Sequence, residues 1–273
     1  MRLHGYGHIP DKPDKRDFLY RNLKPRLGPL PPNVDLRPEC SPVRDQGQLG
    51  SCSGFAIACG LREFLETRQH IAATSHKYQL GKSFANRYGF LYSELSPLFV
   101  YWEERSMEHD VCQDAGGQIR DGMKALANIG CAPEADDPYN ISLFKQKPSK
   151  QALKDAAAWK VSTYHRVGID IPEMQTCLAS GFGFVMGFTV YESFESDQVA
   201  RSGIVPMPQP GEQVVGGHAV FVCGYEANQN INGGGCLLIK NSWGTGWGME
   251  GYFEMPYAYV TPDRVSDAWT GAV

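Results

Sequence analysis

At Pro138 the chain changes texture, and no other feature limits its fold as much. Before Pro138 apolar residues recur with a helical period. In the stretch from Cys52 to Thr67, Ile57, Leu61, Phe64 and Leu65 share one face while Arg62, Glu63 and Glu66 take the other. Further helical stretches are expected near Ser96–Arg105 and Ile119–Ile129. After Pro138 the runs Phe182–Val190, Ala219–Tyr225, Cys236–Lys240 and Gly251–Met255 are short, apolar and rich in β-branched or aromatic residues. Glycine-rich turns separate them, and Gly233-Gly234-Gly235 is expected to join two of them as a hairpin. The reading is a helical lobe over about 30–140 facing a β-rich lobe over about 141–273, with a cleft between, where binding sites concentrate.

The length of 273 residues suits one globular unit with two lobes. Apolar residues at 42% and charged residues at 21% exclude global disorder. The net charge of −4 gives no reason to expect nucleic acid or an anionic membrane as partner. No apolar run approaches the ~20 residues needed to span a bilayer. Met1 to Asp11 lacks the apolar segment of a secretory signal, so the compartment stays open between the cytoplasm and export by another route. The charge is uneven: residues 1–29 carry +4 and the remaining body −8. With Pro10, Pro13, Pro25 and Pro29 this segment reads as an arm or leader. It either floats free or docks on the acidic body, with Asp17-Phe18-Leu19-Tyr20 pairing as a short strand.

The eight cysteines form no C-x-x-C pair, which argues against a structural zinc site or thioredoxin-type chemistry. Cys59, Cys177 and Cys223 sit among apolar neighbours and are expected in the core. Cys40 and Cys112 lie in loop-like sequence and are the candidate disulfide. Cys52 differs. Ser51 is the expected N-cap of the first helix, which puts the Cys52 thiol at a helix N-terminus, where unpaired N–H groups favour the thiolate. A lone cysteine is more often a small core hydrophobe, so Cys52 needs companions. His218, in Gly216-Gly217-His218-Ala219-Val220, stands where a turn enters a buried strand. Asn241 follows the strand Cys236–Lys240, and hairpin pairing would set its amide oxygen beside the imidazole. Trp243 would cover that bond from water. Gln46, in a glycine-rich loop before Cys52, offers a side-chain NH₂ to a developing oxyanion, together with the Cys52 backbone N–H. Each residue alone has a structural explanation; the set is what a thiol nucleophile requires. His4 and His8 are spaced like a weak metal pair but lie in the arm without a third ligand.

These pieces, in this order, resemble the papain-like cysteine peptidases. The matching strings are Pro42-Val43-Arg44-Asp45-Gln46-Gly47-Gln48-Leu49-Gly50-Ser51-Cys52, then Gly217-His218-Ala219-Val220, then Lys240-Asn241-Ser242-Trp243-Gly244-Thr245-Gly246-Trp247-Gly248. Val34-Asp35-Leu36-Arg37 is similar to the start of the mature enzymes. Gly116-Gly117 resembles the glycine pair whose backbone grips the substrate residue next to the cleaved one. The resemblance covers about 31–256, leaves out the leader and the C-terminal tail, and in texture points to a bacterial branch of the xylellain kind. It implies an α+β, two-lobed fold, a helical lobe facing a β-barrel-like lobe, within one catalytic domain over 30–273. It also implies hydrolysis of polypeptide substrates through a Cys52 thioester, with His218 as acid and base and Asn241 and Gln46 in support. Gly116, Gly117, Gly217, Ala219 and Trp243 are the expected substrate-binding residues, and Phe184 is a further candidate lining residue. No metal or organic cofactor is implied, and the chain is expected to act as a monomer.

Two positions depart from the family pattern: Leu49 stands where a cysteine is usual and Ser53 where a tryptophan is. A disulfide and an aromatic wall are thereby lost. Gly50-Ser51-Cys52-Ser53-Gly54 also mimics a nucleophile elbow, but Ser41–Gly47 is too polar for the buried strand that motif needs. The same motifs would also serve a papain-like scaffold used only for binding, or acyl transfer to an amine in place of water. The leader is expected to cross the cleft or its rim and restrain activity until it is cut near Lys24–Leu30.

Overall fold

The helix that starts at Cys52 is the spine of the fold. It opens as α1 (Cys52–Phe55), relaxes into a π-helical stretch (Ala56–Arg62) and closes as α2 (Glu63–Ala72). Small residues let a strand lie close against it: a Cβ on Gly60 would stand 2.5 Å from the Cβ of Phe221. From Cys52 to Thr67 every residue is buried, so the charged face is covered as well as the apolar one. Its carboxylates have partners. Glu63 accepts from the N–H of Leu95 at 2.8 Å, and Glu66 from the N–H and hydroxyl of Ser93 at 3.0 and 2.9 Å. The structure, a computed structural model, describes residues 4–23, 28–72, 83–85, 89 and 91–273.

Two helices pack beside the spine close to where the sequence places them, α3 (Pro97–Met107) and α4 (Ile119–Asn128). Ser96 caps α3 by accepting the Phe99 N–H at 3.0 Å. Ser51 does not cap α1; its hydroxyl meets that of Tyr139 at 2.7 Å instead. Shorter helices follow, α5 (Lys150–Asp155), α6 (Ile171–Ala179) and α7 (Asp197–Ser202).

The main sheet holds β1 (Asn33–Asp35), β4 (Thr163–Arg166), β5 (Phe184–Tyr191), β6 (Val214–Ala227), β7 (Gly235–Lys240), β8 (Tyr252–Pro256) and β9 (Val265–Ala272). A separate pair is formed by β2 (Ser83–Ala85) and β3 (Leu91–Ser93). The runs read as strands from sequence are present as β5 to β8, and the glycine turn closes the β6–β7 hairpin. The order is β4-β9-β5-β6-β7-β8, with β1 also on β6, and every pair is antiparallel. Because β4 and β8 do not pair with each other, the barrel-like lobe is an open sheet, not a closed barrel. Its edges are covered by other segments: Leu19 bridges Arg166 on β4, and Ile204 bridges Glu254 on β8.

The C-terminal strand β9 has no counterpart in the sequence reading, yet it lies inside the sheet between β4 and β5 and buries Trp269 completely. The expected Cys40–Cys112 bridge is not formed. Cys40 is buried with its thiol 3.6 Å from the Leu36 carbonyl, whereas Cys112 is exposed, and neither takes part in a disulfide. Among the described residues no helix is long and apolar enough to cross a membrane.

Trp269 packs within the core and is bonded through Nε1 to Asp11 at 2.7 Å. Trp269→Ala is expected to lower the unfolding free energy of the full chain by about 3–5 kcal/mol. Denaturant titration would show a lower midpoint at an unchanged slope; an unmoved midpoint contradicts the packing described.

Candidate active site

Strand register decides which side chains meet. Phe221 pairs with Lys240 in the antiparallel β6–β7 ladder. Carried to the end of the ladder, that register sets Trp243 opposite His218 and Asn241 opposite Val220, all on one face. The contacts agree. His218 Nε2 lies 2.8 Å from Asn241 Oδ1, which also accepts the Ser242 N–H at 2.8 Å. The Trp243 ring stacks on the imidazole with centroids 4.9 Å apart and covers the bond. Across the cleft, α1 presents Cys52, whose Sγ accepts the Ala219 N–H at 3.4 Å. The two sides are tied at Gln46, whose N–H donates to Ser242 O at 2.8 Å and whose Oε1 accepts from Ser242 Oγ at 2.6 Å.

Leader residues lie in this cleft. Gly5 N–H donates to Gly47 O at 3.1 Å, His8 N–H to Gly217 O at 3.0 Å and Ile9 N–H to Gly117 O at 3.1 Å. Gly117 N–H donates in turn to Gly7 O at 2.8 Å, so His8 bridges Gly117 in parallel. Glycine is required at this approach: a Cβ on Gly7 would overlap the Gly50 carbonyl, and one on Gly5 the Gln48 carbonyl. Tyr6 meets His218 and Trp243 edge-on, both at 5.9 Å, and His4 stacks on Trp243 at 4.6 Å. The histidines thus point to different partners, His4 to Trp243 and His8 to a pocket between β5 and β9. The leader is anchored beyond Ile9. Asp17 accepts from Arg120 at 2.7 Å and from Arg166 at 3.3 Å, and Arg166 also reaches Asp11 at 3.4 Å. Locally the charges run opposite to the net balance, leader carboxylates on body arginines. The short strand expected at residues 17–20 reduces to one parallel bridge, Leu19 with Arg166, followed by a 3-10 turn. The cut expected near Lys24–Leu30 falls largely outside the described residues.

Electrostatics under the leader differ from the expectation of an activated thiolate. Burial pushes the Cys52 thiol up to about 11, although the N–H groups of Ala219, Gly7 and Ser53 pull it down. Burial lowers His218 to about 4, against the hydrogen bond to Asn241, which raises it. A helix N-terminus contributes up to ~2 kcal/mol, little more than one pKa unit. Full desolvation moves a group by as much as ~3–5 units, so burial wins. Both groups are neutral at pH 7 with the leader in place. The amide of Gln46 is occupied as well: Nε2 donates to Gly5 O at 3.0 Å and to Leu49 O at 2.9 Å.

The structure brings the other sequence-selected residues to the same place. Cβ atoms on Gly116 and Gly217 would overlap the backbone of Gly7 and His8, and Ala219 reaches Cys52. Phe184 is the exception, fully buried in the core. Ser53, where the family has tryptophan, points inward and donates to Glu104 at 2.6 Å, and Leu49 packs with Leu98 and Tyr101. Sequence reading missed the supports of the loop. Tyr139 donates to Gln46 O at 2.7 Å, and Asp114 accepts the Gly50 N–H at 3.0 Å and the Tyr101 hydroxyl. It also missed Ser266 and Asp267 on β9, in the tail outside the family motifs.

Known proteins resemble this chain in sequence and in fold. The family described as Papain family cysteine protease matches residues 105–262. An uncharacterized peptidase C1-like protein of Acanthamoeba polyphaga mimivirus is 36% identical over 97% of this chain and 85% of its own length. The crystal structure of xylellain, a cysteine protease from Xylella fastidiosa, superimposes with a TM-score of 0.81 at 34% identity, covering 100% of this chain and 98% of that one. Digestive procathepsin L 3 of Tenebrio molitor shares the fold, with a TM-score of 0.66 at 19% identity over 99% of this chain and 76% of its own. This chain belongs to the papain family of cysteine proteases and is a cysteine peptidase.

Proposed function

We propose that Cys52 is the nucleophile, His218 the acid and base, Asn241 the group that orients the imidazole, and Gln46 with the Cys52 N–H the oxyanion donors. The observation that carries this is the 2.8 Å bond between His218 Nε2 and Asn241 Oδ1, on the same cleft wall that reaches Cys52 Sγ through Ala219. With water readmitted, the thiol passes its proton to His218 and the thiolate attacks the substrate carbonyl carbon. The oxygen becomes an anion held by Gln46 Nε2. His218 then protonates the amine as the C–N bond breaks, leaving a thioester. Water, deprotonated by His218, attacks the thioester and frees the acid and the thiol. Gly116, Gly117 and Gly217 offer backbone groups to an extended peptide, and Ala219 and Trp243 flank it. Residues 30–273 act as one catalytic domain.

The same reading makes residues 1–29 an inhibitory leader. It presents the N–H of Gly7, not a scissile carbonyl, to Cys52, takes a Gln46 hydrogen with Gly5 O, and buries the catalytic pair in neutral form. Gly7→Ala in the full chain, which forces the leader off Gly50, is expected to raise hydrolysis of a fluorogenic peptide substrate at least about tenfold over wild type. Cys52→Ala in that background should abolish turnover. Adding Gln46→Ala should lower kcat by about 10²–10³-fold. Undiminished turnover in the Cys52→Ala chain would refute the assignment.

Leader docking is linked to pH. His218 holds a value of about 4 when covered, below its ordinary 6.5, so the open form binds the extra proton between these values. Lowering pH from about 6.5 towards 4 therefore favours release, by up to about tenfold per pH unit. His4, lowered by burial, acts in the same sense, and Asp11, raised by burial and by Asp267, acts against it. In Asp11→Asn, hydrogen exchange at the His8 and Ile9 amides, corrected for intrinsic rates, should accelerate as pH falls through this window. Exchange independent of pH there would contradict the linkage.

A further inference from the structure

Glu104, close to the proposed nucleophile, is a buried carboxyl that none of the proposed steps uses. The helix turn that carries Cys52 is weakly held at its start. α1 has no side-chain cap, spans only Cys52–Phe55 and passes at once into the π-helical stretch. Yet its second residue touches the nucleophile: the Ser53 N–H bonds to the Cys52 thiol and pulls it down. The place of Ser53 is set by its side chain, which donates to Glu104 Oε2 on α3 at 2.6 Å. That oxygen also lies against Gly117, where an added Cβ would come within 2.5 Å of it. Oε1 lies against Gly122 on α4, where a Cβ would overlap it. One carboxyl therefore sets the spacing between the turn that bears the thiol, the Gly117 backbone and α4.

For stability alone, a pair of apolar side chains in place of Ser53 and Glu104 would serve as well or better, because burying polar groups costs desolvation. Oε1 of Glu104 has no hydrogen-bond partner among the described residues. The neighbouring Arg105 gives its guanidinium to the carbonyls of Val111, Gln113 and Phe144 instead. Burial pushes the Glu104 carboxyl well above its ordinary range; Glu108 and Asp121 add to this, and the Ser53 bond and Arg105 oppose it. All four belong to the body, none to the leader. A neutral carboxyl still accepts the Ser53 hydroxyl. It also spares the thiolate a second negative charge nearby, since an ionised Glu104 pushes the Cys52 thiol up. What the carboxyl adds over an apolar side chain is thus direction, a bond that points the first turn of α1.

We propose, resting on the peptidase reading above, that Glu104 is a positioning residue for the reaction: through Ser53 it fixes the helix turn that presents Cys52 to a peptide held on Gly117. Three variants made in the full-chain Gly7→Ala protein test this, by kcat and KM on a fluorogenic peptide and by the denaturant midpoint. Ser53→Ala/Glu104→Met removes both partners of the bond together. It is expected to keep the midpoint and to lower kcat at least about tenfold, the scale of one lost positioning contact. Ser53→Ala alone should lower kcat likewise with KM within about twofold, because Gly117 keeps its support. Glu104→Gln, whose amide oxygen accepts the same hydroxyl, should stay within about threefold of the parent in kcat. A double variant within about threefold of the parent, or Glu104→Gln as slow as the double variant, overturns the proposal while leaving the peptidase reading intact. A loss of kcat that appears only where the midpoint also falls does the same. No turnover by the Gly7→Ala parent, with Cys52 open to thiol reagents, overturns both.

Discussion

The antiparallel pairing of β6 with β7 is the constraint from which the site follows. A slip of one residue in that ladder would turn His218 to the opposite face from Asn241 and Trp243 and dissolve the arrangement. The register is fixed by burial: every residue of β7 is buried, and from Ala219 to Tyr225 β6 is too. Phe221 presses on the helix at Gly60, which holds the strand against the element that carries Cys52. Cleft geometry and core packing are thus one problem, and Gln46 closes the gap between the two sides through Ser242.

As the inhibitor proposed above, the leader acts by sterics and by desolvation. Its entry depends on Gly5 and Gly7, because the floor of the cleft is backbone and leaves no room for a Cβ. Once seated, it removes water from a thiol and an imidazole that need water or each other to ionise. In the function proposed above, this silences Cys52 and His218 without any covalent change. Anchoring by Asp11 and Asp17 on Arg120 and Arg166 lies away from the proposed catalytic residues, whereas Gly5, Tyr6 and Gly7 dock directly on them.

Much of this was legible in the sequence, for physical reasons that also explain the gaps. The helix at Cys52 and the strands β5 to β8 announce themselves through periodicity, and the spacing of glycine turns locates His218 and Asn241. Strand β9 is silent because Asp267 and Thr270 are buried beside Val265, Ala268 and Trp269, which erases the alternation that a half-buried strand shows. β1, only Asn33–Asp35, is too short to carry a period. The leader's polar, proline-bearing composition gives no sign of docking, since its fit rests on two glycines and on backbone hydrogen bonds. Net charge misled locally, because the leader's few acids, not its many bases, make the buried ion pairs.

The central claim is that the seated leader keeps Cys52 covered and neutral. Its most direct test is the rate of covalent labelling by an epoxysuccinyl thiol inhibitor at pH 7, read by mass spectrometry on the intact chain and on Gly7→Ala. The account predicts one adduct, on Cys52, forming slowly in the intact chain and at least about a hundredfold faster in Gly7→Ala. Equal rates in the two proteins, or an adduct on a cysteine other than Cys52, would contradict it.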